Sequence, residues 1–572
     1  MHRHDGNDFL TENGLRQFFL FVSCVLLFGS LSVMLGQDVN WDLLGYHFYN
    51  GYAFIHHRIG HDIAPAMMQS YLNPFFDVIN YILITTTKPK VTTFLLGAFS
   101  GATCFFLYKI AVILFANVSS DRRTIYALFS VIIGTTGAAN ISLLGTTTND
   151  NKVSLLIIIA LYCLIRAVIE SEKKKIFYLI LAGLIVGLAM GFKLTAACYA
   201  IGLMAGFLFS GDKWDRKHLY LCMVLGVFMV AGFVLANGYW MWFLYKNFQN
   251  PLFPYYNNIF HSSYAPYISF NVAPAHSKLL PLHQFVSVLS ELHRFWQFVL
   301  LPFYLAASKN TLISEVALQD PRFAVIFFMI GVIGLRYYYQ KKITKQIIQK
   351  KVGQTIESYS SWVAMSVFFF VSYFFWLLMF PVYRYALPLE LTSGLLIVVI
   401  IKNIFQSERW EEWILTILCL ILIGATGYPD WGRINFGETY FKISVPRISS
   451  DAVVIFISQP IAYAIPFFPA GVHFIGMRFI DMEEHNISGS HYIEGPHGKF
   501  LSTMINDLKN DKIKVPIYTL AFQFSDDVDV DKRATNILAR FGMVQDNAHC
   551  QLFTTNVIDA LKLCPVKWET VS

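Results

Sequence analysis

Apolar runs of about twenty residues recur along most of this 572-residue chain, each long enough to cross about 30 Å of hydrocarbon at 1.5 Å per residue. Only 14% of the residues are charged and 55% are hydrophobic, with a mean hydropathy of +0.49. Soluble domains carry about a quarter charged residues. The chain therefore reads as a polytopic α-helical membrane protein. Its net charge of +7 does not point to nucleic acid, because most Lys and Arg fall in short loops between the runs, where they act as topology signals.

Eleven spans are expected, at 17–36, 91–117, 124–143, 152–170, 176–192, 194–210, 218–238, 322–340, 360–380, 385–403 and 411–427. The first run is long and lacks a small-residue cleavage site, so it reads as a retained helix, not a signal peptide. "SSDRRT", "ESEKKK", "GDKWDRK", "RYYYQKKITKQIIQKK" and "KNIFQSER" fall on one side with the N-terminus, and their Lys and Arg make that side cytoplasmic. "LGTTTND", "FPVYRY" and "GYPDWGR" fall on the other. The expected division is a cytoplasmic N-terminus (1–16), a membrane domain (17–438) and an extracytoplasmic C-terminal domain (439–572).

Within the membrane domain, 37–90 and 239–321 form large outer loops. "LLGYHFYNGYAFIHHRI" and "NPFFDVINYILITTT" are expected as amphipathic helices in the interface, with Tyr, His and Arg at headgroup level. In the tail, "DAVVIFIS", "GVHFIGM" and "VPIYTLAF" are short β-prone runs between stretches of helical character, which suggests a small α/β domain. Six cysteines lie in apolar runs and read as packing residues. Cys550 and Cys564 lie in the polar tail and can form a disulfide if it faces an oxidising compartment.

Charged groups at membrane depth are expensive and are therefore functional candidates. Asp38 and Asp42, in "QDVNWDLLGY", stand where the first helix leaves the bilayer. One of them is a candidate general base or metal ligand. A carboxylate at the start of the following helix is favoured in its charged form by the helix dipole, which suits removal of a hydroxyl proton. Asp77, Asn149 and Asp150 are placed to line the same cavity. "HHRIGHD" reads as a basic strip facing headgroups or phosphate. Lys193 and Arg384 are cations at the outer mouth. The positive-inside tendency argues against placing them there without an anionic partner, and a phosphate gripped by Arg fits best.

This layout resembles the GT-C superfamily of membrane glycosyltransferases, which includes protein O-mannosyltransferases, lipid A aminoarabinose transferases and oligosaccharyltransferases. The resemblance rests on an acid in the first outer loop, two interfacial helices there with the second opening at "NPFFDVINYIL", "YRYALPLE" in a late outer loop, and an outer C-terminal domain. It implies an inverting transfer of a hexose or pentose from a polyprenyl-phosphate donor to a glycan, lipid or protein acceptor. Asp42 or Asp38 would be the base. Arg384 and Lys193 would hold the phosphate, with His47, Tyr46, Asn73, Asp150 and Tyr383 as further substrate contacts. The pattern makes no cofactor certain; Mg or Mn could be held by Asp38, Asp42 and Asp150. The sequence departs from related enzymes in separating its two acids and in carrying Asn73 where some have Lys. Two other readings stay open. One is a transporter or flippase of lipid-linked glycans. The other is a polymerase or ligase using several outer arginines (Arg294, Arg322, Arg384).

Overall fold

The computed structural model describes residues 14–211, 214–262, 292–343, 356–405, 408–476, 515–523, 530–539, 541–558 and 560–569. Ten helices carry the first half: α1 (Gly14–Leu35), α2 (Phe48–Ile55), α3 (Phe75–Thr86), α4 (Pro89–Leu114), α5 (Ser120–Thr135), α6 (Ala138–Ser142), α7 (Asp150–Ile169), α8 (Glu172–Phe192), α9 (Ala197–Ser210) and α10 (Arg216–Phe248). After them come α11 (Leu292–Ala307), α12 (Arg322–Ile343), α13 (Ile356–Met379), α14 (Leu387–Ile404) and α15 (Glu408–Gly424). Local signals set several ends. Pro89 opens α4, where its missing N–H costs nothing. The Asp215 carboxylate caps α10 by accepting from the His218 N–H at 2.7 Å.

Every expected span coincides with a helix, but only seven helices among the described residues are long and apolar enough to cross a membrane. Of the other four expected spans, those at 194–210 and 411–427 are shorter and that at 124–143 is interrupted, while α12 covers 322–340. The span expected at 124–143 breaks at Thr136–Gly137 into α5 and α6. The break is held by two carboxylates. Asp320 accepts from the Ala138 N–H at 3.0 Å, and Glu390 accepts from Ala139 and Asn140 at 2.8 Å each. These are the N–H groups that a new helix start leaves without partners.

Small residues let the helices approach closely. A Cβ built on Gly187 of α8 would lie 2.1 Å from the Met229 carbonyl of α10, and one on Gly232 would lie 2.1 Å from the Leu184 carbonyl. Two backbones can pack this tightly only with glycine at the contact. At the end of α1 the chain turns through Gly36 at φ +101°, a conformation open to glycine. It then forms a short antiparallel pair, β1 (Gln37–Asp38) with β2 (Arg433–Ile434).

The C-terminal residues form a mixed sheet from β3 (Val453–Phe456), β4 (His473–Gly476), β5 (Ile517–Phe522), β6 (Met543–Gln545), β7 (Gln551–Phe553) and β8 (Leu561–Trp568). The order is β4-β3-β5-β8-β6, with β7 also on β8; β3 is parallel to β4 and β5, and β8 runs antiparallel to β5. All four residues of β3 are buried, as expected for a strand covered on both faces. One helix, α16 (Val530–Ala539), covers one face with Ala534, Ile537 and Leu538. The structure joins Cys550 to Cys564.

The first loop covers the other face, which corrects the expectation of an α2 lying at the lipid headgroups. Tyr46, Tyr49, Tyr52 and Ala53 are buried in one cluster with Val454, Phe456, Ile465 and Phe474. The tyrosine row of "YHFYNGY" is therefore core, because the sheet offers its rings more apolar contact than an interface would. In the "HHRIGHD" strip His56 and His57 are exposed, but the arginine does not face headgroups. Arg58 is buried on Asp62 (Nη2 to Oδ1 2.6 Å) and donates to the carbonyls of Ala470 and Val472. Ile63 pairs alongside Ile475, so the loop extends the edge of the sheet.

Candidate active site

The two acids of the first loop separate. Asp38 is fully buried. Its Oδ2 accepts from the Thr147 N–H (2.8 Å) and hydroxyl (2.7 Å), and its Oδ1 from the Asn40 backbone and side chain (3.1 and 2.7 Å). With four donors it ties β1 to the loop before α7, and it has no room for a substrate. Asp42 stands instead at the head of a π-helical turn, Leu43–His47, that runs into α2. Single π turns recur at functional positions.

Asp42 forms an ion pair with Arg384, whose other nitrogen lies 3.3 Å from Glu315. Lys193, at the end of α8, bonds Asp150 at 2.6 Å and sits 4.4 Å from the centre of the Tyr385 ring. The Arg384 guanidinium lies over Tyr385 and Trp431, at 5.2 and 5.8 Å. Burial pushes the Asp42 carboxyl up, but Arg384, His47 and Lys193 outweigh it and hold the group below the usual carboxylate range. Asp42 is thus an ionised carboxylate at a partly open mouth, its side chain 12% exposed. Arg384 Nε, Asp150 Oδ2 and Glu315 Oε2 are buried without a hydrogen-bond partner. Unmet polar atoms are uncommon inside proteins, and three of them lie beside one pair of cations here.

Behind Asp42 lies a second layer. His47 Nδ1 bonds Asp77 Oδ1 at 2.6 Å, and Asn149 donates to the same oxygen at 2.9 Å. Lys152 in turn donates to Asn149 Oδ1 at 3.1 Å. The Tyr46 and His47 rings are 4.2 Å apart.

The structure thus brings Asp42, Arg384, Lys193, Asp150, His47 and Tyr46 together, but not the rest. Tyr383 is buried and donates to Glu390 at 3.0 Å, in the protein interior. Asn73 is engaged with the Gly191 and Ala236 carbonyls and Asn237, tying the start of α3 to α8 and α10. The three candidate metal ligands do not converge either. Asp38 is taken up by Thr147 and Asn40, while Asp42 and Asp150 each pair with a different cation, and no group of three or more acids, histidines or cysteines is arranged for a metal among the described residues. Arg322 leaves the set of outer arginines. It is fully buried against Asp320 (2.9 Å), Thr426 and the Ile133 carbonyl. The Arg294 side chain lies outside what is described. Sequence reasoning missed Glu315 and Tyr385. Tyr385 was within reach, one residue past Arg384 in "YRYALPLE"; Glu315 is a lone loop acid with no local signal.

Residues 84–236, from the end of α3 into α10, match the family described as "Dolichyl-phosphate-mannose-protein mannosyltransferase". The match covers about a quarter of the chain and falls in the same group that the first-loop acid and "YRYALPLE" resemble. Among solved structures, the chain is similar to ArnT from Cupriavidus metallidurans bound to undecaprenyl phosphate, at 11% identity and TM-score 0.48 over 96% of this chain and 97% of that one. It is also similar to the Archaeoglobus fulgidus oligosaccharyltransferase in the apo form, at 11% identity and TM-score 0.40 over 87% of this chain and 69% of that one. A search of curated proteins found no match.

Proposed function

We propose that the chain transfers a sugar from a polyprenyl-phosphate donor to a hydroxyl acceptor at the outer face of the membrane, with Asp42 as the base. The observation that carries this reading is the pairing of an ionised Asp42 with Arg384 beside Lys193 and unmet polar atoms. The family matched over 84–236 is described by a polyprenyl-phosphate sugar, which supports the donor. On this reading the N-terminus is cytoplasmic, and the C-terminal sheet, with its disulfide, is extracytoplasmic.

The chemistry follows from the charges. The donor phosphate brings negative charge to Arg384 and Lys193 and competes with Asp42 for the guanidinium. Arg384 can grip phosphate oxygens in a fork, and the exchange frees Asp42 beside the acceptor. Asp42 takes the acceptor proton, the acceptor oxygen bonds the anomeric carbon from the face opposite the phosphate, and the carbon–phosphate-oxygen bond breaks with its pair leaving on the lipid phosphate. Holding that leaving charge in a site shielded from water is the electrostatic part of the catalysis. Inversion at the anomeric carbon is the expected stereochemistry.

The test is transfer from a panel of radiolabelled polyprenyl-phosphate sugars in proteoliposomes, for wild type, Asp42→Asn and Arg384→Ala. Wild-type transfer that both variants lose while still folded supports the reading. Transfer that survives in both removes the site assignment. Lipid movement across the bilayer without transfer favours a flippase.

A further inference from the structure

The mouth around Asp42 holds more acid than base. Asp42, Asp150 and Glu315 face two cations, Arg384 and Lys193. A donor phosphate brings a further negative charge, and like charges set close together oppose binding. One carboxylate therefore has to withdraw from the cations to admit it. The three acids are not held alike. Asp42 belongs to the π turn, whose Leu43 and Leu44 are buried and whose Gly45 packs against Trp41 and Pro460. Asp150 opens α7 and bonds Lys193 at 2.6 Å. Glu315 reaches Arg384 with one oxygen, at 3.3 Å, and its other oxygen has no partner. Its side chain is 24% exposed, the most open of the five.

The chain is pinned on either side of Glu315, which lies in the loop 308–321 between α11 and α12. The Asn310 and Leu318 backbones exchange hydrogen bonds at 3.0 and 3.1 Å, and Gln319 pairs in the same way with Gly427. Ile313 is buried, and its carbonyl accepts from the Tyr383 N–H at 2.7 Å. With the loop fixed, the Glu315 side chain can still turn off Arg384 by changing rotamer. The guanidinium shows what that move releases. Nη1 is on Asp42, Nη2 is on Glu315, and Nε has no partner. Nε and Nη2 share one edge of the planar group, a fork that fits two phosphate oxygens. Withdrawing Glu315 alone completes that fork, and Asp42 keeps its own nitrogen.

We propose that Glu315 is a gate: in the free protein its carboxylate holds the place of the donor phosphate on Arg384, and the incoming phosphate displaces it. The inference rests on the glycosyltransferase reading above and adds a residue that sets donor affinity. One anion replaces another at the Nε–Nη2 edge, and no covalent bond forms or breaks. Phosphate prevails because it bonds both nitrogens where Glu315 reaches one, and a single, partly exposed ion contact is weak. A neutral lipid cannot displace the acid, so the gate favours lipids that carry phosphate.

The experiment titrates a polyprenyl monophosphate into the purified full-length protein in nanodiscs, for wild type, Glu315→Gln and Glu315→Asp, with the polyprenol of equal length as the neutral control. Glu315→Gln keeps the shape and loses the charge. It should bind the phosphate about two- to fivefold more tightly than wild type, the worth of a partly exposed ion pair, and bind polyprenol no differently. Glu315→Asp keeps the charge but ends one methylene short of a contact already 3.3 Å long, so it too should bind the phosphate more tightly than wild type. Unchanged or weaker phosphate binding by a folded Glu315→Gln overturns the gate, since a structural acid or one that holds substrate gives that result. A tighter Glu315→Gln beside a Glu315→Asp that matches wild type assigns the effect to net charge alone and overturns it as well. Wild type that binds the phosphate no better than polyprenol removes the polyprenyl-phosphate reading and the gate with it, whereas selective phosphate binding unaltered in both variants removes the gate alone.

Discussion

Two charged clusters lie within the membrane domain, and they behave in opposite ways. In the first, Asp320, Arg322 and Glu390 are fully buried. Every polar side-chain atom in it has a partner: Arg322 is spent on Asp320, Thr426, Thr136 and the Ile133 carbonyl, and Glu390 on two backbone N–H groups and Tyr383. In the second, Asp42, Arg384, Lys193, Asp150 and Glu315 are all partly open or incompletely bonded. The same residue types build architecture in one place and an incompletely paired mouth in the other. Buried charges are tolerated when each lone pair and proton is matched, so a mouth that leaves some unmatched is open to a ligand that supplies the match.

The largest expected effect falls on the open cluster. Asp42→Asn should lower kcat by about 10²–10⁴-fold, the usual worth of a general base, in protein that is still folded. A variant that kept its rate would dissolve the contrast. On the sealed cluster, Arg322→Met leaves Asp320 buried without its counter-charge and should destabilise the fold by about 3–5 kcal/mol, read by thermal melting in detergent. The activity of the protein that remains folded should stay close to wild type.

Asp38→Asn sharpens the comparison within the first loop. It sets an amide N–H or a weaker acceptor against the Thr147 donors and should cost about 1–3 kcal/mol of stability. Turnover per folded molecule should change little. Should Asp38→Asn abolish turnover while Asp42→Asn does not, the roles given to the two acids are reversed.

The smallest effect is a constancy. The folded Asp42 carboxyl titrates below its ordinary value, so its pairing contributes in full above the ordinary carboxylate range and is lost only as pH falls through the depressed value. The melting-temperature difference between wild type and Asp42→Asn should therefore be flat between about pH 5 and pH 8, well above the ordinary carboxylate value. A difference that shrinks steadily across that window would show that Arg384 does not hold the carboxylate ionised.

Helix positions were legible because hydrophobic length is a local property: α1, α4, α7 and α8 start or end within three residues of the expected spans. The division of α5 from α6 was not, because the carboxylates that cap α6 come from residues 320 and 390. Asp42, Arg384, Lys193 and Asp150 were legible as charges at the wrong depth or on the wrong side for a bland role. Which of them pair was not, nor were the Tyr383 hydroxyl's turn toward Glu390 and the burial of the tyrosine row under the C-terminal sheet.

The sequence by itself determined that the chain crosses a membrane many times, where its helices lie, and which few charges had to be accounted for. Transfer into hydrocarbon is decided residue by residue over short windows, so a linear reading captures it. Only the tertiary structure decided that Asp38 would be a tie and Asp42 an anion at a partly open mouth, four residues apart in the chain. That choice depends on which donors reach each carboxylate, Thr147 in one case and Arg384 in the other. Those partners lie more than one hundred and more than three hundred residues away, where no local pattern can name them.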